Sequence, residues 1–316
     1  MAFGLTAMRA MWRENLHISF RPSDEFTVEI AARPAAWMPP SSLAGLQHAC
    51  RTVVAACLDG RQLDYGLFAA DGRAWHRSVV TLVRDTRTGT PVAFNAMPLL
   101  PVRQGAETVD VLHLGLVMVD PGARSAGLSW ILYGLTCFLL FVRGRFRPLW
   151  ISSVTQVPAV VGMVAETFDR VWPGGREPVP SFAHRYFARQ ILRDHRDAFG
   201  VGEGAGYDAD RGVITDAYTG GSDNLKKRFD VAAKHRDARY NDFCRDTLDY
   251  VRGDDVLQLG QLNFATAQRF LRRSVPRAAL PQLLVQVAVL AAQAVVAPVV
   301  QWLAADRSLG ALRPAR

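Results

Sequence analysis

Apolar and polar positions alternate with a period of two in several early segments, a pattern that predicts strands. Residues 16–31 indicate one or two short strands around a turn at residues 22–24. Residues 75–84 and 91–97 indicate a hairpin closed by the polar turn 85–90. Residues 109–119 are apolar at nearly every position, so we expect a central strand that is covered on both faces.

Other segments carry apolar residues three or four positions apart, which predicts helices. Ser41 or Ser42 is expected to cap a first helix that Gly60 ends, and Pro158 opens a later one that follows a buried strand at 148–155. The remaining predicted helices cover residues 128–142, 181–199 and 222–252. The helix at 128–142 is apolar all round, so it must be covered on more than one side.

This order of elements predicts an α+β fold with a mainly antiparallel sheet flanked by helices. We assign residues 1–195 to one domain, the Gly- and Asp-rich residues 196–221 to a linker, and residues 222–316 to a helical C-terminal extension.

The extension contains an apolar helix at residues 278–305 that holds no charged residue. Its four glutamines, Gln282, Gln286, Gln293 and Gln301, share one side of a helical wheel. Three arrangements remain open. The helix packs onto the domain over residues 128–142 with its glutamines to solvent; it lies on a membrane surface or pairs with a second copy; or it spans a membrane, with nearby arginines on the cytoplasmic side.

Composition narrows the choice of partners only partly. The formal net charge of +8 favours anionic partners such as a nucleotide-containing cofactor, an acidic carrier protein or an anionic membrane surface. Nucleic acid is a weaker expectation. The four cysteines show no C-x-x-C spacing and no matching histidines, so we expect no metal site and a reduced, cytoplasmic protein, with membrane association left open. The N-terminal stretch to Asn15 does not have the pattern of a signal peptide.

One loop carries candidate chemistry. The central strand ends in Val119-Asp120-Pro121, and Arg124-Ser125-Ala126-Gly127-Leu128-Ser129 then opens a helix. Free N–H groups at the start of a helix bind phosphate oxygens, and small residues let a phosphate approach the backbone. Arg124 adds a positive charge.

These residues resemble the pyrophosphate-binding loop of the GNAT superfamily of CoA-dependent N-acyltransferases, Arg/Gln-x-x-Gly-x-Gly/Ala after a strand ending in Val-x-Pro. Here Ser129 stands at the last position, and Ser125-Ala126 replaces the usual Arg-Gly pair. The resemblance covers about residues 16–190. It implies a GNAT-like fold and an acyltransferase that uses acetyl-CoA or another acyl-CoA as donor and an amine as acceptor.

The resemblance also implies roles for single residues. Val117, Met118 and Val119 would hold the acyl thioester, and residues 124–129 would hold the pyrophosphate. An acidic base in one branch of the family lies eleven positions before the loop, which here falls on His113, with Asp110 as the second choice. The usual leaving-thiol acid, a tyrosine on the helix after the next strand, is missing; Thr155, Ser153 and Tyr133 are the substitutes.

The substrates remain open at this point. The apolar helix at 128–142 could line a tunnel for a long acyl chain, carried by CoA or by an acidic acyl carrier protein. Two alternatives to an enzyme remain: a catalytically inactive GNAT-like binding module, and a membrane-associated structural protein.

Overall fold

The computed structural model describes residues 15–58 and 63–303, with side chains for all of these except Ser125 and residues 293–303. The expectations for the N-terminal stretch through residue 14, for Gly60 and for residues 304–305 lie outside the described residues. Within them the chain forms a mixed α+β structure around one large sheet, as the order of elements predicted.

Eleven strands form the described sheet, and the early hairpin predictions are confirmed. The strands are β1 His17–Phe20, β2 Phe26–Ala32, β3 Ser78–Asp85, β4 Pro91–Gln104, β5 Glu107–His113, β6 Leu116–Val119, β7 Leu149–Thr155, β8 Asp169–Trp172, β9 Gly206–Asp208, β10 Val213–Thr215 and β11 Asp255–Leu262. Their order is β1-β2-β3-β4-β5-β7-β11-β10-β9, while β6 also pairs with β4 and β8 also pairs with β11. Every pairing is antiparallel except that of β5 with β7.

Eight α-helices are described: α1 Pro40–Cys57, α2 Ala74–Arg77, α3 Thr136–Arg143, α4 Pro158–Thr167, α5 Phe182–Asp194, α6 Ala238–Thr247, α7 Phe264–Arg273 and α8 Leu280–Leu303. Helix α1 packs against β3, β4 and β6, while α5 packs against β4 and β11. Helix α4 packs against β7, β8 and β11, and α8 packs against α3. These contacts cover the central strands, which explains their nearly continuous apolar sequences.

Some element boundaries differ from the prediction. Helix α1 begins at Pro40 after Pro39 and has no side-chain cap, so Ser41 and Ser42 lie inside its first turn. The helix expected from residue 128 opens as a π-helix at Trp130–Leu135 before α3. Helix α4 starts at Pro158 as expected but ends at Thr167, because the next residues form β8 and pair with β11.

The predicted linker and helical extension need correction. Strands β9 and β10 lie within residues 196–221, and β11 lies beyond them, yet all three join the same sheet. Strand β11 pairs with β7 over seven residues and completes the middle of the sheet. Strands β9 to β11 are therefore part of the central architecture, because β11 pairs with β7 from the earlier half of the chain and in turn pairs with β10, which pairs with β9.

The single long helix predicted for residues 222–252 is also wrong, since only α6 is helical there apart from a short turn at Asp223–Leu225. Side chains bind the backbone instead. The Lys226 ammonium donates to the carbonyls of Val251 and Arg252, and the Asn241 amide bonds to both the N–H and the C=O of His235. Such bonds give the backbone an alternative to the helix.

The C-terminal helix α8 covers α3, as in the first of the three expected arrangements, but the two described glutamine side chains, Gln282 and Gln286, are not exposed to solvent as that arrangement expected. Leu283, Gln286 and Leu290 follow each other at helical spacing on the buried face, and Gln282 is half-buried. Burying the two leucines brings Gln286 inward with them. Leu284 and Val285 are exposed instead. The side chains of Gln293 and Gln301 lie outside the described part.

A single helix that crosses a membrane needs both sufficient length and an apolar composition. Over the described ranges, no single helix meets both requirements. The segments Phe264–Arg273 and Arg277–Ala292 meet them only as a pair, with a bend of 114° between them.

Candidate active site

The predicted central strand 109–119 is divided in the structure, and the division opens the sheet. Strand β5 pairs with β4 and also, in parallel, with β7 at Leu112–Ile151 and His113–Ser152. The last contact is the Leu114 N–H, which donates to the Ser152 carbonyl at 2.7 Å. Beyond it, β6 pairs only with β4 among the described strands, while β7 continues along β11. Strands β6 and β7 therefore diverge from residues 114–115 onward.

Gly115 makes this break possible. A Cβ at this position would lie 2.2 Å from the Ala96 carbonyl oxygen and 2.9 Å from Pro98 Cδ, both on β4. These atoms belong to the neighbouring strand or to a rigid ring, so they cannot move aside easily. The break thus depends on a residue without a side chain.

A cavity of about 220 Å³ lies where the strands diverge. Residues His113 to Val117 form one wall, and Val154, Thr155 and Val157 form the opposite wall. The remaining lining comes from Tyr65 and from segments after residue 195, namely Ala198, Phe199, Tyr218, Ser222, Leu225, Lys227 and Asp255. The late segments thus supply most of the titratable groups.

Asp255 is the carboxylic acid among the residues that line the cavity. It is 5 % exposed and its Oδ1 accepts a hydrogen bond from the Tyr218 hydroxyl at 3.0 Å. Burial raises the pKa of Asp255 to about 7; the Tyr218 bond opposes this and the charge of Asp254 adds to it. A carboxyl group with this pKa exchanges protons near neutral pH.

The adjacent Asp254 has the opposite behaviour. Burial raises its pKa, but this is outweighed by a bidentate Arg252 pair at 2.7 Å and by the N–H groups of Asp249 and Asp216, which hold the pKa below its usual value. Asp254 is therefore an ionised structural group that ties the start of β11 to the preceding turn. Neighbouring carboxyl groups with pKa values pushed apart are common where acid–base chemistry occurs.

His113 lines the same cavity and is the last residue of β5, directly before the strand break. Its Nδ1 lies 3.0 Å from Ser152 Oγ, and its ring packs 5.1 Å from that of Phe199. Burial lowers the pKa of His113 to about 3, so the imidazole is neutral at physiological pH. Asp110, the second candidate base, does not line the cavity; it pairs with Arg33 at 2.8 Å on a half-exposed surface.

The loop residues predicted to hold a cofactor occupy the end of β6 and the start of the next helix. Val117 lines the cavity, while Met118 is buried against α1 and Val119 accepts a hydrogen bond from the Cys57 thiol at 3.2 Å. Residues Pro121–Ala126 form a 3₁₀ helix, and its Asp120 cap accepts from the Gly122 N–H at 2.8 Å. The side chain of Ser125 is outside the described part.

The second half of the loop turns sharply into the helix. Gly127 has a left-handed φ of 66°, with open space where a Cβ would stand. Ala126 and Ser129 are exposed, while Leu128 is buried in the core. At the start of the helix that follows, the N–H groups of Ile131 and Leu132 donate to the Leu128 carbonyl, both at 3.0 Å, so a bound anion could use only the N–H groups that precede them.

Arg124 is exposed at this turn and also interacts with α1. Burial raises the pKa of Cys57, and the nearby Arg124 guanidinium opposes that rise. Arg124 therefore lies beside the end of α1, next to the open helix start.

The substitutes for the leaving-thiol acid are distributed differently. Thr155 lines the cavity, although its Oγ1 accepts from the Val157 N–H at 3.1 Å. Ser153 and Tyr133 do not line it, and burial raises the pKa of Tyr133 to about 12. Tyr218, which the sequence did not single out, is the cavity hydroxyl that bonds to a titratable group.

Asp255 was also missed, although the sequence held a signal. The pair Asp254-Asp255 directly precedes the apolar strand Val256-Leu257-Gln258-Leu259, and acids at the entry of a buried strand need partners. That it lines the same cavity as His113 could not be read from the sequence, because the pairing of β7 with β5 and β11 brings their strands together.

No group of three or more histidine, cysteine, aspartate or glutamate residues is placed to hold a metal ion in residues 15–58 and 63–303. All four cysteines are free thiols. Searches against protein-family models and against curated proteins found no match for the sequence.

Proposed function

We propose that this protein is an acyltransferase with a GNAT-like core that moves an acyl group from acyl-CoA to an amine. The observation that carries the proposal is the divergence of β6 and β7 at Leu114–Gly115, which opens a cavity beside an unpaired strand edge. In an antiparallel pair, alternate residues direct their N–H and C=O groups away from the partner. Strand β6 therefore offers backbone groups to an extended ligand with amide groups, such as the pantetheine arm of CoA.

The loop after β6 supports the binding of the other end of the donor. Gly127 leaves the backbone open, Ser129 is small and exposed, and Arg124 adds a cation at the helix start. These features suit the pyrophosphate of CoA. The thioester would then lie along Val117, with its carbonyl near the strand break.

For the proton transfer we assign Asp255 as the general base in preference to His113. An acceptor amine must lose a proton to attack the thioester, and a base works best when its pKa is near the working pH. Asp255 has a pKa of about 7, whereas the pKa of about 3 makes His113 a weak base. His113 instead fixes the wall of the cavity through Ser152 and Phe199.

The cavity favours a short acyl group and a small amine. Its volume of about 220 Å³ is below the range of roughly 300–1,000 Å³ that is usual for larger ligands. Residues 128–142 contribute no side chain to its lining; many pack in the core with Phe270 and α8 instead. This arrangement supports acetyl-CoA or a similar donor over a long-chain tunnel, and an acyl carrier protein remains the second donor.

Binding and turnover test the proposal separately. Isothermal titration with acetyl-CoA should show saturable binding that Gly127→Trp abolishes and Arg124→Ala weakens roughly tenfold, as expected for one charge-assisted hydrogen bond. Gly89→Trp is the matched control, because Gly89 also has a positive φ and open space around its Cβ position. Its binding should equal that of the parent protein.

Asp255→Asn should bind acetyl-CoA normally but lose about a hundredfold in turnover with an amine acceptor. The parent kcat/KM should rise with pH up to about 7, as Asp255 loses its proton. Binding without turnover against a panel of amines would support an inactive binding module. The absence of binding to acetyl-CoA and to longer acyl-CoAs would contradict the assignment altogether.

A further inference from the structure

A second, larger cavity lies away from the divergent strands and is rich in arginine. It has a volume of about 740 Å³ and shares none of its lining with the candidate active site. The end of α4, strand β8, the start of α6 and one face of α7 enclose it. Six arginines line it: Arg170, Arg176, Arg236, Arg239, Arg269 and Arg273.

The carboxylates among the described residues neutralise the positive charge of this cavity only in part. Six arginines face three carboxylates, Glu166, Asp169 and Glu177, so the lining has a formal excess of three positive charges. Glu166 pairs with Arg236 at 2.8 Å, and Asp169 accepts a hydrogen bond from the Asn263 amide at 2.7 Å. In the described part of the chain, Arg170, Arg176, Arg269 and Arg273 form no salt bridge.

The four arginines without a salt bridge to a described residue converge from different elements. Arg269 and Arg273 are one turn apart on α7, so both point to the same side of that helix. Arg170 on β8 and Arg176 after β8 enter from the other wall. Arg170 also holds a left-handed φ of 51°, and its carbonyl is fixed by the His184 ring at 2.8 Å.

The chemistry of the lining indicates the class of ligand. Guanidinium groups bind phosphate oxygens with two parallel hydrogen bonds, and several arginines on different walls suit more than one phosphate. Arg269 is half-buried and the other five arginines are exposed, so their guanidinium groups are accessible to a dissolved anion. The concave shape and volume fit a small molecule.

We propose that this arginine-lined cavity is a binding site for a small-molecule anion that carries a diphosphate group. With Arg236 paired to Glu166 and Arg239 paired to Asp237, the other four arginines face the carboxylates of Asp169 and Glu177, a formal excess of two positive charges that the negative charges of a diphosphate would neutralise. Arg269, Arg273, Arg170 and Arg176 bind the phosphate oxygens, while Arg236 and Arg239 stay with Glu166 and Asp237.

Inorganic pyrophosphate is the probe that tests this site, by isothermal titration on the full-length protein at physiological salt without divalent cations. We expect saturable binding with one site, and binding at least tenfold weaker in Arg269→Gln/Arg273→Gln. The control Arg272→Gln/Arg277→Gln removes the same charge from exposed positions of the same segment that do not line the cavity. Its affinity should stay within twofold of the parent value.

Arg176→Gln is a second variant in a different segment, and it should weaken binding even if the α7 double variant does not fold. Equal losses in the lining and control variants would overturn the proposal in favour of unspecific attraction. It is also overturned if the parent protein does not bind pyrophosphate, or if it binds only long polyanions. The α7 double variant should keep its affinity for acetyl-CoA when pyrophosphate is absent, so either assignment can fail without the other.

Discussion

At the scale of single residues, the adjacent carboxyl groups of Asp254 and Asp255 give opposite predictions for stability. Asp255 has a folded pKa of about 7 against an unfolded value of 3.8, so the folded protein holds the extra proton between these pH values. Stability therefore falls as the pH rises from about 3.8 to about 7, and the full destabilisation by the ionised carboxylate is present above pH 7. Asp255→Asn should raise the melting temperature at pH 8 and leave it almost unchanged near pH 4, as measured by differential scanning fluorimetry across this range.

Asp254→Asn provides the contrasting prediction. The pKa of Asp254 is lowered in the fold, so its ionised form adds stability at neutral pH, and this contribution is lost as the pH falls below 3.8. The variant should melt lower than the parent protein at pH 7, and the difference should shrink in acid. Parallel pH curves for the two variants would contradict both pKa assignments.

His113 and Asp255 show which residues of the candidate site could be predicted from the sequence and which could not. His113 could be chosen as a candidate base because it lies eleven positions before Arg124 in the apolar segment 109–119, and the structure places it in the lining of the cavity. Asp255 could not be chosen, because its hydrogen-bond partner Tyr218 and the other lining residue His113 come from segments far away in the chain. Burial by non-local neighbours, which no local pattern records, is also the main cause of its raised pKa.

At the scale of elements, the strand break at Gly115 is the feature most sensitive to substitution. Gly115→Ala places a methyl group against the Ala96 carbonyl oxygen of β4. We expect a loss of about 1–3 kcal/mol in the free energy of unfolding, the usual cost of overpacking. Urea unfolding measures this change, and acetyl-CoA titration should show weaker binding because the cavity wall shifts.

Gly45→Ala is the control at this scale. Gly45 lies inside α1, and no atom lies within 4 Å of the place where a Cβ would stand, so alanine should stabilise the protein by about 0.5–1 kcal/mol. A Gly115→Ala variant as stable as the parent protein would mean that β4 can move away from residue 115 without a loss in the free energy of unfolding.

The elements themselves were partly predictable for a physical reason. The strands β1 to β4 show local alternation, which one short segment of sequence records. The divergence of β6 from β7 depends on which strands pair, and the irregular path of residues 226–237 depends on side-chain bonds such as those of Lys226 and Asn241. Both are tertiary effects that override local propensity.

At the scale of the whole molecule, α8 is predicted to be necessary for the fold. Leu283 and Leu290 are 2 % and 4 % exposed and belong to the same core as α3. A chain cut after Arg277 should aggregate or melt markedly lower, since it uncovers apolar residues of α3 against which α8 packs. Circular dichroism melting and size-exclusion chromatography measure these outcomes.

The exposed side of α8 supplies the control for the truncation. Leu284→Gln/Val285→Gln changes two exposed apolar residues and should leave the melting temperature unchanged. If the same variant reduces sedimentation with anionic vesicles or self-association, the exposed side is an interaction surface. A soluble, active protein after truncation would instead show that α8 is a peripheral anchor.

The position of β11 in the middle of the sheet has a consequence for how the chain acquires its structure. Leu149 on β7 pairs with Leu262, so β7 is synthesised long before its partner strand. Until then β7 presents a free, apolar edge, the kind of surface that promotes aggregation of incomplete chains. Pairing across such a long stretch of chain also slows folding. We therefore expect the cavity with Asp255 to form late, in one of the last steps by which a newly made molecule becomes functional.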